Sequence, residues 1–320
     1  MDVEHHKMDV IYGDISMITA ADLLFCGLTY VGFEKERQNV RQSENVERFK
    51  EHYGPPPEVL AALFNDLKDK YPEVRVKDAL MSMNWLKIYD TERVLSARWR
   101  HGDLKHIRNT VKDVARKEAS MEKDKIIFGG SFDENEVYIF GVDTVHFLTE
   151  EFRLDPSSKW YDFKSHSSGL KYEFAMAIGR PAIVWRRGPF PCSESDINIY
   201  RGGKPDEDES DWNHDALYFK MKELGEGKFG VGDSSYSSVS DQIITTQPGQ
   251  SKELREFLKR VKQREETLHT RYKSYNILAN RFRHGKTTEE KMELHGICVG
   301  AITVITQYDF ENGRPPFQIR

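Results

Sequence analysis

One short stretch of the sequence, Glu136 to Phe147, constrains the fold more than any other. Residues 137–142 form the β-branched and aromatic run Val-Tyr-Ile-Phe-Gly-Val, which favours a strand buried on both faces. Asp143 follows near the expected end of that strand, although burying an unpaired charge is costly. Either a cation or a hydrogen-bond network must compensate Asp143, or it is an ordinary capping or turn residue. The residue by itself does not decide between the two.

The composition indicates a globular protein with a real core. A hydrophobic fraction of 38% with 12% aromatic residues argues against extensive disorder. The net charge of −5 excludes a protein that is basic throughout, so any nucleic-acid surface must be a local patch. Cys26, Cys192 and Cys298 lie far apart and form no CxxC pair, which fits a reducing compartment and gives no zinc signature.

The segment from Ile15 to Phe33 is the main candidate for a membrane helix. It is fairly apolar, but Asp22 penalises membrane insertion, and the basic leader of a signal peptide is missing. We therefore expect a buried helix and a soluble protein with no membrane partner. His5-His6 is expected to be a solvated tail.

Residues 1–125 are expected to form a mainly helical region with helix-turn-helix character. Asp90-Thr91 can cap a helix at 92–99, His101-Gly102 breaks it, and Asp103 can cap the next helix. A basic second helix after a short turn matches the plan that enters the DNA major groove, although an ordinary helical hairpin with a solvated basic face is nearly as good an interpretation. The candidate DNA contacts on this helix are Lys112, Arg116 and Lys117.

From residue 126 the pattern changes to strands. Three of them could form an antiparallel meander, because only turns separate them. A final helix is apolar nearly all round and should be buried. The expected strands lie at 136–148, 170–178 and 182–185, at 229–233 with its end at Asp233, and at 242–246. The expected helices are a short one capped by Ser193, a long one from Ser251 toward Phe282, and a last one at 288–308.

Two further carboxylates are candidates for a site with Asp143. Asp233 again follows an apolar strand, and strand carboxyl ends are where open α/β folds place ligands. Glu266 lies on the long helix; its neighbour Glu265 should point about 100° away. This helix and its continuation, 252–286, carry eleven Lys and Arg residues against four acids, an excess that suits phosphate binding. The candidate DNA contacts here are Lys259, Lys262, Arg271 and Lys273.

Two Asp residues and a Glu brought together would repel one another, and their pKa values would rise. Divalent cations reverse that penalty, and Mg²⁺ prefers a few carboxylates with water and phosphate oxygens. Two such ions about 3.5–4 Å apart can activate a water and stabilise the leaving oxygen of a phosphodiester. The cofactor expected from this chemistry is therefore a pair of Mg²⁺ or Mn²⁺ ions.

Four segments of the chain resemble DDE transposases of the PIF/Harbinger group, which are DDE superfamily endonucleases with an RNase H-like fold. Over residues 126–310 their order and spacing match the family. The segments are Val142-Asp143-Thr-Val-His-Phe, Gly188-Pro-Phe-Pro-Cys-Ser-Glu-Ser-Asp196-Ile, Gly232-Asp233-Ser-Ser-Tyr236, and Glu266 followed by Lys273 and Arg281-Phe282.

The resemblance implies an α/β protein: an RNase H-like mixed sheet flanked by helices over 126–312, preceded by the helical region 1–125 and followed by a tail, 313–320. It implies Asp143, Asp233 and Glu266 as the catalytic, metal-binding triad, with Asp196 an accessory acid. The activity implied is metal-dependent cleavage and transfer of DNA strands. It also implies a separate Myb-like DNA-binding partner and a nuclear location, and leaves a homo-oligomer on DNA open.

The chain departs from the family pattern at five positions, two of which are Lys259 and Lys262, where the family often has Tyr and Arg before the Glu. Thr144 and Ser235 stand where Gly is usual, and Ser195 replaces the usual His. A lost Gly costs about 1–2 kcal/mol if its backbone is left-handed, so the site could be distorted. The competing hypothesis is therefore a domesticated or decayed relative that binds DNA or a protein partner without cutting. A metal phosphohydrolase for small substrates is disfavoured by the basic helix.

Overall fold

The computed structural model describes residues 17–33, 41–100, 102–129 and 132–319, so His5-His6 and His101 lie outside it. The chain forms two compact units. The first consists of the described residues up to Glu122 with Tyr272–Ala279 and Ile297–Arg314; the second consists of Lys123–Arg271, Asn280–Gly296 and the described residues from Pro315. The boundaries expected from the sequence treat each domain as one continuous segment, whereas both units are discontinuous in sequence.

The first unit is helical. Asp103 and Thr91 cap the two helices of the expected helical hairpin, and the inward residues Ile107, Val111 and Val114 are buried, as the sequence predicts. The helices up to the unit boundary are α1 (Ala20–Tyr30), α2 (Gln42–Tyr53), α3 (Pro57–Lys70), α4 (Val76–Ile88), α5 (Glu92–Arg98) and α6 (Leu104–Ser120), followed by the short α7 (Glu122–Lys125).

Asp22 has a different place from the one expected. It lies in the first turn of α1 and forms a capping box with Thr19, in which each residue's side chain accepts a hydrogen bond from the other's backbone N–H. The Asp22 carboxylate therefore accepts a hydrogen bond at the start of the helix and is not a charge buried in the middle of it. Among the described residues, no helix is long and apolar enough to cross a membrane.

The second unit is built on a mixed six-stranded sheet flanked by helices. β1, β3 and β4 form the predicted antiparallel meander, β2 pairs with one end of β3, and β5 and β6 run parallel to β1. The chain is thus a mixed α/β protein with a helical N-terminal region. The strands are β1 (Tyr138–Leu148), β2 (Tyr161–Asp162), β3 (Ser167–Ala177), β4 (Ile183–Pro191), β5 (Phe229–Val231) and β6 (Ile243–Ile244).

The helices of the second half of the chain differ from expectation at their ends. The short helix begins at Asp196 and is capped by Ser195, whose Oγ accepts from the Asn198 N–H at 3.3 Å; Ser193 is not the cap. The long helix ends at Lys273, and the apolar last helix is buried as predicted. These helices are α8 (Asp196–Arg201), α9 (Leu217–Leu224), α10 (Lys252–Lys273), α11 (Asn276–Ala279) and α12 (Thr288–Glu311).

Helix α10 lies close against β1 because Gly141 has no side chain. A Cβ at Gly141 would lie 2.7 Å from both Glu265 Oε1 and Val261 Cγ1, which is closer than real Cβ contacts allow. Earlier on the same strand, the rings of Tyr138 and Phe257 lie 5.2 Å apart. The helix therefore follows β1 toward Asp143.

The buried Glu118 of α6 gives the first unit a testable pH dependence. Burial raises the pKa of Glu118 from 4.5 to about 8, an effect that Ser82 partly offsets. Between these two pH values the folded state holds a proton that the unfolded state has lost, so stability falls as pH rises from about 4.5 to 8. Glu118→Gln should remove this fall, gaining stability at pH 8 but little at pH 4.5. Urea unfolding at both pH values measures it; a fall unchanged in the variant would contradict the assignment.

Candidate functional site

The site forms where the pairing of β1 and β5 ends. The parallel ladder between them stops at Gly141 and Val231, whereas the antiparallel pairing of β1 with β3 continues to Leu148. Asp143 therefore lies within β1, not near its end as the sequence suggests. Asp233 follows β5 after Gly232 and caps the 3-10 turn Ser234–Val239, accepting from the Ser235 N–H at 2.8 Å and from its hydroxyl. The two Asp residues thus stand beyond the last pair of neighbouring parallel strands.

Asp143 is the electrostatic centre of this group. Its Oδ1 accepts a hydrogen bond from the Thr144 N–H at 2.8 Å. Burial, and then the charges of Asp233, Asp196 and Glu266, raise the pKa of Asp143 from 3.8 to about 7, against that hydrogen bond. All four acids that the sequence singled out therefore interact, although they come from four separate elements. The Asp143 side chain is still 31% exposed, so solvent and a substrate can reach it.

The orientation of α10 determines where Glu266 points. On one side of the helix, Arg264 donates to the carbonyls of Ile178 (2.8 Å) and Arg180 (2.7 Å), which follow β3. On the other side, the Nζ of Lys262 lies 3.4 Å from Thr246 Oγ1, just after β6. Glu266, one helical turn beyond Lys262, lies on the β5–β6 side and is exposed. This is the side on which Asp233 lies.

Glu265 faces the sheet. It is 3% exposed, lies against Gly141, and its Oε2 has no hydrogen-bond partner among the described residues. Burial, and then the charge of Asp143, raise the pKa of Glu265 well above its ordinary value. Both glutamates therefore lie near Asp143, Glu265 buried against the sheet and Glu266 at the open side.

Asp196 is held by a small network at the start of α8. Its Oδ1 accepts from the Thr144 hydroxyl at 2.7 Å and from Lys171 Nζ at 3.1 Å. Lys171 also donates to the Glu194 carbonyl at 2.7 Å. The Lys171 ammonium forms an ion pair with the Asp196 carboxylate, and the Thr144 hydroxyl links this carboxylate to the strand segment that carries Asp143.

Thr144 and Ser235 do not have the left-handed backbone that would strain the chain where the family has Gly. Among the described residues other than glycine, only Tyr89, Arg100 and His166 have a positive φ. Neither Thr144 nor Ser235 therefore needs the conformational freedom of glycine. Both side chains instead donate hydrogen bonds to acids of the site.

His269 is a member of this site that sequence reasoning missed. Its Nδ1 lies 3.8 Å from Asp143 Oδ2, and the residue is 7% exposed. The spacing gives a signal that could have found it, because a residue four positions after Glu265 lies on the same helix face. His146, the other histidine close to Asp143 in the sequence, lies 3.5 Å from Asp162.

The donor set suits a hard divalent cation, but the described residues contain no group of three or more His, Cys, Asp or Glu side chains arranged to hold a metal ion. Mg²⁺ is usually bound by one or two carboxylates with waters and substrate phosphates, not by a complete protein cage. Burial first, and then the charges of the neighbouring acids, raise the pKa of Asp143, and a bound cation would offset both effects. The residues therefore fit an ion whose coordination the substrate completes.

The basic residues of α6 are largely engaged within the protein. Arg108 pairs with Glu92 of α5, and Lys117 lies 2.7 Å from Glu73 and 2.8 Å from Asp113. Of the other two candidate DNA contacts, Arg116 is exposed and Lys112 half-buried. These pairs favour the ordinary helical hairpin over the DNA-reading helix.

Helix α10 carries basic residues of a different kind. Lys252, Arg255 and Lys259 are exposed and have no ion pair with any described residue. With Lys262 they are spaced three or four residues apart, so they form one row that leads to Glu266. We call these four residues the α10 row. Of the remaining candidates, Arg271 is half-buried and Lys273 exposed.

Comparison with known proteins gives no match to a family model, to a curated protein or to a solved structure. The resemblance to PIF/Harbinger transposases therefore rests on the four sequence segments alone.

Proposed function

We propose that this protein is a DDE-type, divalent-metal-dependent DNA nuclease whose second unit is RNase H-like, and that it cleaves and transfers phosphodiester strands. The observation that carries the proposal is the gathering of Asp233, Asp196 and Glu266 around Asp143 at the end of the β1–β5 ladder. Like charges are costly to bring together without a compensating cation. A mixed sheet flanked by helices supports the fold assignment.

In this proposal Asp143, Asp233 and Glu266 hold the metal. Mg²⁺ or Mn²⁺, when bound, would supply a water activated as nucleophile and charge stabilisation for the leaving oxygen. Asp196 acts as a positioning residue, because Thr144 and Lys171 fix it beside the strand of Asp143. The Ser235 N–H and hydroxyl both donate hydrogen bonds to Asp233 Oδ1, and these two bonds fix the orientation of the carboxylate.

The α10 row supplies the phosphate contacts. Its members span the eleven residues from Lys252 to Lys262, so the ends of the row are roughly 15 Å apart at a rise of about 1.5 Å per residue. A nucleic-acid backbone laid along it would pass several phosphates and reach Glu266 at its end. Unpaired cations bind phosphates by releasing counterions, whereas the paired cations of α6 would first have to lose their protein partners.

The row gives a prediction for DNA binding. Changing Lys252, Arg255 and Lys259 together to Gln should weaken DNA affinity and reduce the slope of log K against log salt by about one unit per lost contact. The matched variant, with Lys112, Arg116 and Lys117 changed to Gln, should alter the slope less, because Lys117 is already paired. Fluorescence anisotropy over a range of salt concentrations measures both slopes. If the α6 variant changed the salt slope more than the α10 variant, the main DNA-binding surface would be α6.

The second candidate function is a domesticated or decayed relative that binds DNA or a protein partner without cutting. The missing preformed group of three metal ligands among the described residues favours it. Metal-dependent nicking separates the two functions, since DNA binding through the α10 row is compatible with both. A Myb-like partner, a homo-oligomer on DNA and a nuclear location belong to the proposal only through the family resemblance.

A further inference from the structure

His269 has a place beside Asp143 that the proposed triad does not use. His269 is only 7% exposed, and its Nδ1 lies 3.8 Å from Asp143 Oδ2. Asp143 Oδ1 is engaged by the Thr144 N–H, so Oδ2 is the oxygen on the side of the histidine. The imidazole nitrogen and this carboxylate oxygen therefore lie on the α10 face of the sheet, next to the open side where Glu266 is exposed.

The distance permits both atoms to bind one ion. Metal–ligand bonds to oxygen or imidazole nitrogen are about 2.0–2.2 Å long, so two ligands of the same ion can be at most about 4.4 Å apart. The observed 3.8 Å lies within this limit. No third described His, Cys, Asp or Glu is already placed as a ligand beside this pair, so the proposed ligands Asp233 and Glu266 would join it only when the ion binds, together with water and substrate.

We propose that His269 is a nitrogen ligand of the ion held by Asp143, so that the site prefers divalent transition-metal ions over Mg²⁺. Imidazole is a better ligand for transition-metal ions than for Mg²⁺, which prefers oxygen donors in strict octahedral geometry. This inference rests on the proposed metal site and specifies which ions it takes.

The location of the histidine on α10 supports a ligand that is fixed in advance. Arg264 anchors the helix to the carbonyls of Ile178 and Arg180, and Gly141 lets it approach β1. A ligand on a packed helix loses little side-chain freedom when the ion binds. The competing explanation is that the imidazole only orients Asp143, in which case it would support all divalent ions equally.

Mn²⁺ is the probe that separates ligation from orientation. Mn²⁺ binding to the full chain is measured by electron paramagnetic resonance, Mg²⁺ binding by calorimetry, and pulsed resonance detects a nitrogen nucleus bound to Mn²⁺. We expect Mn²⁺ to bind at least about tenfold tighter than Mg²⁺, with a nitrogen coupling. His269→Ala should lose the coupling and at least about tenfold in Mn²⁺ affinity, while Mg²⁺ affinity changes much less.

His146→Ala is the matched control, because His146 also stands beside a carboxylate, Asp162, on an element of the same unit. It should leave the coupling and both affinities unchanged. A coupling that survives in His269→Ala, or an equal loss of Mn²⁺ and Mg²⁺ affinity, would overturn the ligand assignment. Circular dichroism of the metal-free variants checks that each is folded.

The same experiment distinguishes this inference from the proposed function. Wild-type protein that nicks DNA and binds Mn²⁺ without a nitrogen coupling would overturn the role of His269 and keep the nuclease. Wild-type protein that binds neither ion and nicks no DNA would overturn both.

Discussion

Asp143→Asn should abolish DNA cleavage and leave the protein folded and able to bind DNA. Asp143 is the acid on which the charges of the other site residues act, so its loss removes the central ligand of the proposed ion. Changes of residues outside a metal's ligand set already cost about 10- to 100-fold in activity, so the loss of a ligand should exceed about 100-fold. The α10 row is unchanged, and DNA affinity should therefore persist.

In metal-free protein, the same variant should show how the raised pKa of Asp143 makes stability depend on pH. The folded-state pKa of Asp143 is raised from 3.8 to about 7, so between these pH values the folded state binds more protons than the unfolded state. The contribution to stability is thus fully present below about pH 4 and is lost as pH rises through 7. Asp143→Asn should raise the melting temperature at pH 8 more than at pH 4. The exposed Asp241→Asn is the control; equal shifts at both pH values would show that the pKa of Asp143 is not raised in the folded protein.

Glu266→Gln should also abolish cleavage while DNA binding continues. The change preserves side-chain size and helix propensity and removes one negative charge beside Asp143. Stability without metal should hold or rise slightly, because carboxylate repulsion falls. The matched control is Glu256→Gln, an exposed acid earlier on the same helix, which should cut normally. Single-turnover cleavage and anisotropy measure the two effects separately.

Glu265→Gln tests whether the correct one of the two neighbouring glutamates has been assigned. Glutamine is a neutral substitute for a carboxyl group whose pKa is raised well above its ordinary value. This variant should therefore cut nearly normally and keep the packing of α10 against Gly141. If Glu265→Gln were the inactive variant and Glu266→Gln the active one, the third carboxylate would be Glu265.

The sequence predicts local elements of this protein well, because local patterns carry them. A β-branched and aromatic run predicted β1, the turns between apolar segments predicted its meander with β3 and β4, and the caps at Thr91 and Asp103 predicted α5 and α6. Pairing between distant segments is not visible in such patterns. The parallel pairing of β1 with β5 and of β5 with β6 joins distant segments, and the two discontinuous units depend on where 272–279 and 297–314 pack.

The charges show the same limit more sharply. Counting basic residues gives α6 and α10 similar weight as phosphate-binding helices. The structure separates them, since the partners of Arg108 and Lys117 include Glu92 and Glu73, which lie far away in the sequence. Likewise, the rotation of α10 is set by Arg264, whose carbonyl partners lie in the turn after β3. That rotation decides which of two neighbouring glutamates is open to a substrate.

Nicking of supercoiled plasmid DNA by the purified full chain tests the central claim most directly. Wild-type protein should convert the plasmid to nicked and linear forms with Mg²⁺ or Mn²⁺ and should stop when the ions are chelated. The double variant Asp143→Asn, Asp233→Asn, prepared identically, should bind the plasmid and leave it supercoiled. Wild-type protein that binds the plasmid but leaves it intact with both ions, or a double variant that nicks as fast as wild type, would contradict the claim.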